Sequence, residues 1–227
     1  MSTLNLLAKP NSTTLPKTDL TSALRLIVIT DHRLARPRKI VEVVEAALLG
    51  GAKAIQLRNK GDTANELLET GKHLRDLTQA HGALLFVNDR VDIALAIGAD
   101  GVHLGPKDPP IQAVRRLVAD EFLIGFSADD PELAHLAVAE GANYIGCGTI
   151  YRTSTKPDAG DVIGMPGLRS VIDAVDVPVI AIGGITNRRI PEVLAVGATG
   201  VAVASAIMSA SDPMQATYSM LTALENT

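Results

Sequence analysis

Short apolar runs recur along the chain at nearly even spacing, and segments with helical periodicity separate them. The runs lie near residues 24–29, 53–57, 83–87, 100–104, 122–126, 143–147, 178–182 and 199–203. Continuous apolar strands are typical of a parallel sheet that is covered on both faces. Between the runs, apolar residues return every three or four positions, as in the segments 40–48, 64–79 and 131–139. The pattern predicts eight strands that alternate with helices.

Eight alternating units favour a (β/α)8 barrel, the TIM barrel, over the alternative of an open doubly wound sheet. The length of 227 residues suits one such domain. We predict a single catalytic barrel over residues 23–227. Residues 1–22 are rich in Ser and Thr, contain Pro10 and Pro16, and show no periodic apolar face. They are predicted to form a flexible N-terminal leader.

Composition and charge narrow the classes of function. The formal net charge of −4 argues against a nucleic-acid-binding surface, which needs a basic stripe. The single cysteine, Cys147, excludes an internal disulfide and lies within an apolar run, where a buried and inert thiol is expected. No apolar stretch is long enough to span a membrane, and the N-terminus has no signal-peptide pattern. We therefore predict a cytoplasmic protein with small-molecule partners.

Polar residues follow most of the apolar runs, where the active site of a (β/α)8 barrel collects. Gln56, Arg58 and Lys60 alternate after the second run. A planar guanidinium and a compact ammonium together suit a diphosphate, although a solvated strand end would have the same residues.

Two carboxylates follow neighbouring strands. Asp89 comes after the third run and Asp108 after the fourth. Carboxylates from adjacent strands can hold Mg²⁺, which prefers oxygen ligands. Alone, Asp89 would also fit a helix N-cap, and Asp108 a turn before Pro109. As a pair beside two cations, they favour a metal–diphosphate site.

The last two strands end in residues that suit a phosphate group. Gly183-Gly184 and Ala204-Ser205 follow the seventh and eighth runs, where barrels often bind phosphate through backbone N–H groups. The loop after the sixth run contains Thr153, Thr155 and Lys156, whose hydroxyl and ammonium groups can bind phosphate or carboxylate. The alternative is a flexible polar lid without a binding role. His103 lies inside a strand pattern, as a barrel-lining residue or a contact to a substrate ring.

The ordered set of these motifs resembles the thiamine phosphate synthase family from about residue 24 to residue 224. The motifs are Gln56-Leu57-Arg58-x-Lys60, Asn88-Asp89, Gly101-Val102-His103-Leu104-Gly105-x-x-Asp108, Gly125-x-Ser127, Gly148-x-Ile150-x-x-Thr153-x-Thr155-Lys156, Gly183-Gly184-Ile185 and Ala204-Ser205-Ala206. The resemblance implies a Mg²⁺-dependent transferase. It would join 4-amino-2-methyl-5-(diphosphooxymethyl)pyrimidine to a thiazole phosphate, giving thiamine monophosphate and diphosphate. Family precedent also implies a homodimer.

The resemblance assigns a role to each motif. The pyrimidine diphosphate would contact Gln56, Arg58, Lys60, Asn88, His103, Ser127 and Lys156. The thiazole phosphate would contact Thr153, Thr155, Gly184, Ala204 and Ser205. Asp89 and Asp108 match the Mg²⁺ ligands.

Three positions depart from the family pattern, and two other functions stay open. Asp129 stands where the family often has a histidine, and Phe126 and Arg152 replace an aliphatic residue and a proline. Related thiazole tautomerases use the histidine near the fifth strand, so its absence weighs against that isomerase. The other alternative is a non-catalytic barrel that binds phosphate ligands.

Overall fold

Eight parallel strands close into one barrel in a computed structural model, which describes residues 17–153 and 161–226. The strands are β1 Leu26–Ile29, β2 Ala54–Leu57, β3 Leu84–Asn88, β4 Gly101–Leu104, β5 Leu123–Ser127, β6 Tyr144–Cys147, β7 Val179–Ile182 and β8 Gly200–Val203. Each begins and ends within two residues of its predicted bounds. Strand β1 pairs with β8, as in the register Leu26↔Val201, so the sheet has no edge. The (β/α)8 barrel is therefore confirmed, and the open-sheet alternative is wrong.

The helices surround the barrel and bury their apolar faces against the outer side of the strands. They are α1 Lys17–Ala23, α2 His32–Ala35, α3 Ile40–Leu49, α4 Ala64–Ala80, α5 Val91–Ala96, α6 Ile111–Arg115, α7 Pro131–Ala139, α8 Gly164–Asp173, α9 Ile190–Ala195, α10 Ser205–Met208 and α11 Pro213–Glu225, with a 3-10 turn at Asn187–Arg189. The caps are local: Thr63 and Glu66 form a capping box at α4, and Asp130 accepts a hydrogen bond from the Leu133 amide at α7. Among residues 17–153 and 161–226, no helix has the length and apolar character needed to cross a membrane.

The barrel interior contains two large aromatic side chains, and glycines on neighbouring strands give them room. Phe86 and Tyr144 meet edge to face with ring centroids 5.4 Å apart. A Cβ atom built on Gly125 would overlap the Tyr144 ring, and one on Gly101 would lie 2.9 Å from Phe86. Tyr144 is 1% exposed, so its ring is closed off from solvent inside the barrel.

Helix α1 corrects the predicted boundary of the leader. The sequence pattern predicts a leader over residues 1–22 without a face to bury, whereas α1 begins at Lys17. Leu20 and Ala23 pack against the inner core cluster, which contains Leu24 and Ile27. The physical reason is that the N-terminal end of the barrel exposes apolar side chains that need a cover. A seven-residue helix is too short to show a periodic pattern. The rest of the predicted leader, residues 1–16, lies outside the described residues.

Leu20→Ala is expected to lower the free energy of unfolding by about 1–2 kcal/mol, less than the roughly 2–5 kcal/mol of a fully buried leucine. The reason is that half-buried Leu20 covers the inner core. Urea unfolding measures the change. Ser22→Ala, at an exposed position of the same helix, is the control and should change stability by less than about 0.5 kcal/mol. Equal stability of the two variants would contradict the packing of α1 on the barrel.

Candidate active site

One pocket of about 360 Å³ lies at the C-terminal end of the barrel. It brings together nine of the predicted site residues: Gln56, Arg58, Asn88, His103, Ser127, Thr153, Gly184, Ala204 and Ser205. Asp89 interacts with Asp108, with Lys60 and with Arg58, which lines the pocket. Thr155 and Lys156 lie outside the described residues. Residues scattered along the chain therefore meet because the strands are parallel and all end at the same rim.

The backbone of Arg58 is held by Thr30, a residue that no sequence motif predicts. The buried Thr30 hydroxyl accepts a hydrogen bond from the Arg58 amide at 2.9 Å and donates to the Arg58 carbonyl at 3.3 Å. Gln56 donates from Nε2 to Asn88 Oδ1 at 3.4 Å. The one sequence signal for Thr30 is a hydroxyl directly after the first apolar run. These bonds fix the ends of β1, β2 and β3 relative to one another.

Asp89 and Asp108 form a coupled pair of carboxyl groups. They lie within hydrogen-bonding distance of each other, and burial together with the Asp108 carboxylate raises the pKa of Asp89 to about 6. Lys60 and Arg58 act in the opposite direction on that pKa. Two half-buried carboxylates this close repel each other when both are ionised, and a cation between them would relieve the repulsion.

The backbone at Asp89 is strained, and a backbone amide orients the Asp108 carboxylate. Asp89 has a φ of 63°, in the left-handed region that few non-glycine residues adopt, and such strain is concentrated at functional sites. The Gly105 amide donates to Asp108 Oδ2 at 2.7 Å, which orients that carboxylate. Asp89 is not a helix N-cap, because α5 begins at Val91 with Arg90 as its cap residue. The alternative structural role for Asp89 is therefore wrong.

Two carboxylates alone make an incomplete metal site. Within residues 17–153 and 161–226, no group of three or more His, Cys, Asp and Glu side chains is placed to hold a metal ion. A cation bound by Asp89 and Asp108 would take its remaining ligands from water and substrate oxygens. Mg²⁺ commonly binds proteins in that way, through one or two carboxylates plus phosphate.

A hydrogen-bonded chain runs from the packed lower barrel to the pocket. Tyr144 Oη lies 3.0 Å from His103 Nδ1, and His103 Nε2 lies 2.9 Å from Ser127 Oγ. Full burial raises the pKa of the Tyr144 phenol well above its usual range, so the group keeps its proton. Its hydrogen has one acceptor among the described residues, Nδ1, and a buried O–H without an acceptor is costly.

The tautomer of His103 follows from this arrangement. If Tyr144 donates to Nδ1, the ring proton is on Nε2 and is donated to Ser127 Oγ. The hydroxyl hydrogen of Ser127 is then available to a ligand in the pocket. The sequence motifs place His103 and Ser127 in the site but do not mark Tyr144, which lies inside an apolar run.

Tyr144→Phe is expected to remove the hydrogen-bond donor to His103 Nδ1, so that the ring is no longer held in a single tautomer. ¹⁵N NMR of the His103 ring measures this, and we expect a shift from one tautomer to a mixture. Leaving the Nδ1 acceptor unpaired should also cost about 1–3 kcal/mol of unfolding free energy. Tyr218→Phe, on the exposed face of α11, is the control. An unchanged His103 spectrum would contradict the assignment.

The opposite side of the pocket is formed by the turn after β7 and the start of α10. Gly183 and Gly184 have φ values of 102° and 64°. A Cβ on Gly184 would lie 2.9 Å from the Arg152 carbonyl oxygen and 3.0 Å from Tyr151 Cβ. Only glycine fits there, and its bare backbone leaves space for a phosphate to approach.

Arg189 holds this turn in place, although no sequence motif predicts that role. Its Nη1 donates to the Gly184 carbonyl at 2.5 Å, and its guanidinium lies 4.0 Å from the centre of the Tyr151 ring. The Tyr151 hydroxyl in turn donates to Glu192. The turn after β7 and the start of the loop after β6 are thereby joined.

Two of the positions that depart from the family pattern, Asp129 and Phe126, lie in different parts of the barrel. Asp129 lines the pocket, whereas Phe126 faces outward into the core between β5 and the helices. Phe126 therefore does not alter the pocket wall.

The buried thiol of Cys147 is protonated at neutral pH, because burial, with a smaller effect of the Asp129 charge, raises its pKa to about 12. It is a poor nucleophile in that state.

Comparisons with known proteins point to one family. The family model described as thiamine monophosphate synthase matches residues 26–207. The chain is 49% identical over 199 residues to a thiamine-phosphate synthase of Pyrococcus furiosus, covering 88% of this chain and 94% of that protein. It is 46% identical over 188 residues to one of Chloroflexus aurantiacus, covering 83% and 87%. A solved thiamine phosphate pyrophosphorylase from Pyrococcus furiosus is similar with a TM-score of 0.83 and 45% identity, over 91% of this chain and 98% of that chain.

Proposed function

The chain belongs to the thiamine monophosphate synthase family, and we propose that it condenses 4-amino-2-methyl-5-(diphosphooxymethyl)pyrimidine with thiazole phosphate. The products are thiamine monophosphate and diphosphate. The observation that carries this proposal is that one cavity has the Arg58 guanidinium on one side and the Gly183-Gly184 turn on the other. Asp89, which interacts with Arg58, Lys60 and Asp108, directly follows the lining residue Asn88.

The diphosphate is assigned to the side formed by β2, β3 and β4. Arg58 offers a planar fork and Lys60 a compact charge for phosphate oxygens, with Asn88 beside them. Asp89 and Asp108 would hold Mg²⁺, a fit supported by their mutual repulsion. Mg²⁺, when bound, offsets the negative charge that builds up on the departing diphosphate. Lys156 is assigned to the same group by its motif.

The pyrimidine ring is assigned to the centre of the pocket. Gln56, His103 and Ser127 lie at or one residue before the C-terminal ends of three strands and present amide, imidazole and hydroxyl groups. Such groups match the ring nitrogens and the amino group of an aminopyrimidine. Because hydrogen bonds among the protein side chains already fix Gln56 and Ser127, the ring would meet an ordered set of partners.

The thiazole phosphate is assigned to the side formed by β7 and β8. Gly184, Ala204 and Ser205 line the pocket, and Thr153 lies nearby with a hydroxyl. Thr155 is assigned to this phosphate by its motif. This arrangement would place the thiazole nitrogen in the pocket, facing the reactive carbon of the pyrimidine.

The reaction needs positioning and charge stabilisation rather than a protein nucleophile. The bond between the exocyclic carbon and the diphosphate oxygen breaks, and both electrons leave with the diphosphate. The electron-rich aminopyrimidine stabilises the carbon cation, and the thiazole nitrogen attacks it to form the new C–N bond. Arg58 and Lys60 stabilise the leaving group electrostatically. The walls of the pocket hold the two rings in contact and limit access of water to the cation.

Two other functions are weaker. A thiazole tautomerase would need only the phosphate side, so the carboxylate pair and its two cations would have no role. A non-catalytic phosphate-binding barrel would not need the strained backbone of Asp89. Both functions use the same fold, so a reaction assay is needed to separate them.

The test combines the purified protein, both substrates and MgCl2, and measures thiamine monophosphate by chromatography. We expect product in equal amount to diphosphate, and none in excess chelator. Omitting the pyrimidine substrate tests the isomerase, since conversion of thiazole phosphate alone would support a tautomerase. Binding of both ligands without any product would support the non-catalytic alternative.

We also propose a homodimer and a cytoplasmic location. Family precedent supports the dimer, and phosphorylated substrates, which do not cross membranes unaided, support the location. Light scattering on the purified protein tests the dimer, and a monomer mass would contradict it.

A further inference from the structure

A second, smaller cavity continues the active-site pocket into the barrel. Its volume is about 30 Å³, and it shares Gln56, His103 and Ser127 with the main pocket. Its other walls include Ile27, Tyr144 and Ile180, which do not line the main pocket. Each of these lies two residues before a strand residue that lines both cavities, so the small cavity is one layer deeper in the barrel.

The lower walls of this cavity are apolar. Ile27, Ile180 and Tyr144 all belong to the inner core cluster. The Tyr144 hydroxyl is already bonded to His103. The polar groups of Gln56, His103 and Ser127 are at the upper edge, where the two cavities meet. The deep end therefore suits a small apolar group attached to a polar ring above it.

The proposed pyrimidine substrate has such a group in the required direction. Its reactive carbon is attached at ring position 5, and its methyl group is at position 2, directly across the ring. If the diphosphate lies against Arg58, Asp89 and Asp108 at the rim, the methyl group points down the barrel axis. We propose that the deep cavity receives the 2-substituent and limits its size, an inference that rests on the proposed function.

The volume sets the expected limit. A site needs about 10–15 Å³ to hold one water-sized group, so about 30 Å³ accommodates a methyl or an ethyl group but not a propyl group. A hydrogen at position 2 leaves the apolar walls without a partner. One extra or missing methylene in such a pocket changes kcat/KM by about 10–200-fold.

The first experiment compares pyrimidine diphosphates with hydrogen, methyl, ethyl and propyl at position 2. We expect kcat/KM to be highest for methyl or ethyl, and at least about tenfold lower for hydrogen and for propyl. Equal values for all four would overturn the inference while product from the methyl substrate still supported the proposed function. No product from any of them would instead overturn the proposed function.

The second experiment enlarges the cavity. Ile180→Val should raise the kcat/KM ratio of propyl to methyl by about tenfold. The matched control is Ile145→Val, since Ile145 is equally buried on the neighbouring strand but faces the outer core. If Ile180→Val fails to fold, Ile27→Val removes a methyl group from the same cavity. A ratio equal to that of Ile145→Val would overturn the inference.

Discussion

Asp89→Asn is expected to lower kcat/KM on the order of 10²–10³-fold without loss of thermal stability. That decrease corresponds to a loss of about 3–4 kcal/mol of transition-state stabilisation. Asparagine tolerates the left-handed backbone that Asp89 adopts, so the turn is preserved. Removing one of two carboxylates that repel each other should leave the melting temperature unchanged or raised. Activity falls because the proposed Mg²⁺ ligand loses its charge.

Steady-state kinetics over a range of MgCl2 concentrations, together with thermal unfolding, test this expectation. Asp92→Asn is the control, because Asp92 is 63% exposed and pairs with Arg90 on the surface. It should change either quantity by less than about 0.5 kcal/mol. Wild-type kcat/KM for Asp89→Asn at every metal concentration would remove Asp89 from the proposed metal site.

Gly125→Ala is expected to cost about 3 kcal/mol or more of unfolding free energy, at the upper end of overpacking effects. The new methyl group would overlap the Tyr144 ring, which is almost fully buried and packs against Phe86. The ring cannot shift without breaking its hydrogen bond to His103. Urea unfolding measures the loss.

A neighbouring strand-end glycine provides the control for this prediction. The methyl group of Gly105→Ala would lie 3.4 Å from its nearest neighbour, an ordinary contact, so stability should change little. In a Tyr144→Leu background, Gly125→Ala should cost less unfolding free energy than in the wild type, because the smaller side chain relieves the overlap. An equal cost in the two backgrounds would show that the loss has another origin.

The predicted barrel depended on features that are local in the sequence. A strand of a parallel barrel is covered on both faces, so its sequence is a continuous apolar run. Eight such runs at even spacing therefore identified eight strands. The polar residues after each run had to meet at one rim, because parallel strands end on the same side. Gln56 and His103 could therefore be identified as candidates from the residue pattern, whereas Asn88 and Ser127 were identified through the family resemblance. All four line the pocket. The resemblance to a family added the substrates.

Helix α1 shows where such local patterns stop being informative. Seven residues contain too few apolar positions to reveal a face, and Leu20 has a role only because the barrel end lies beneath it. In the same way, Asp89 fitted a helix cap as well as a metal site. The structure excludes the cap, because Arg90 is the cap residue of α5, and it brings Asp89 close to Asp108, which follows a different strand.

The sequence by itself determined the class of fold, the end of the barrel at which the candidate site lies and many of the residues that line the pocket there. Only the tertiary structure decided their partners: Thr30 for Arg58 across 28 positions, and Tyr144 for His103 across 41. The physical reason is that burial and alternation act on each short segment separately. A hydrogen bond between distant segments depends on barrel closure and strand register, which all eight strands set together.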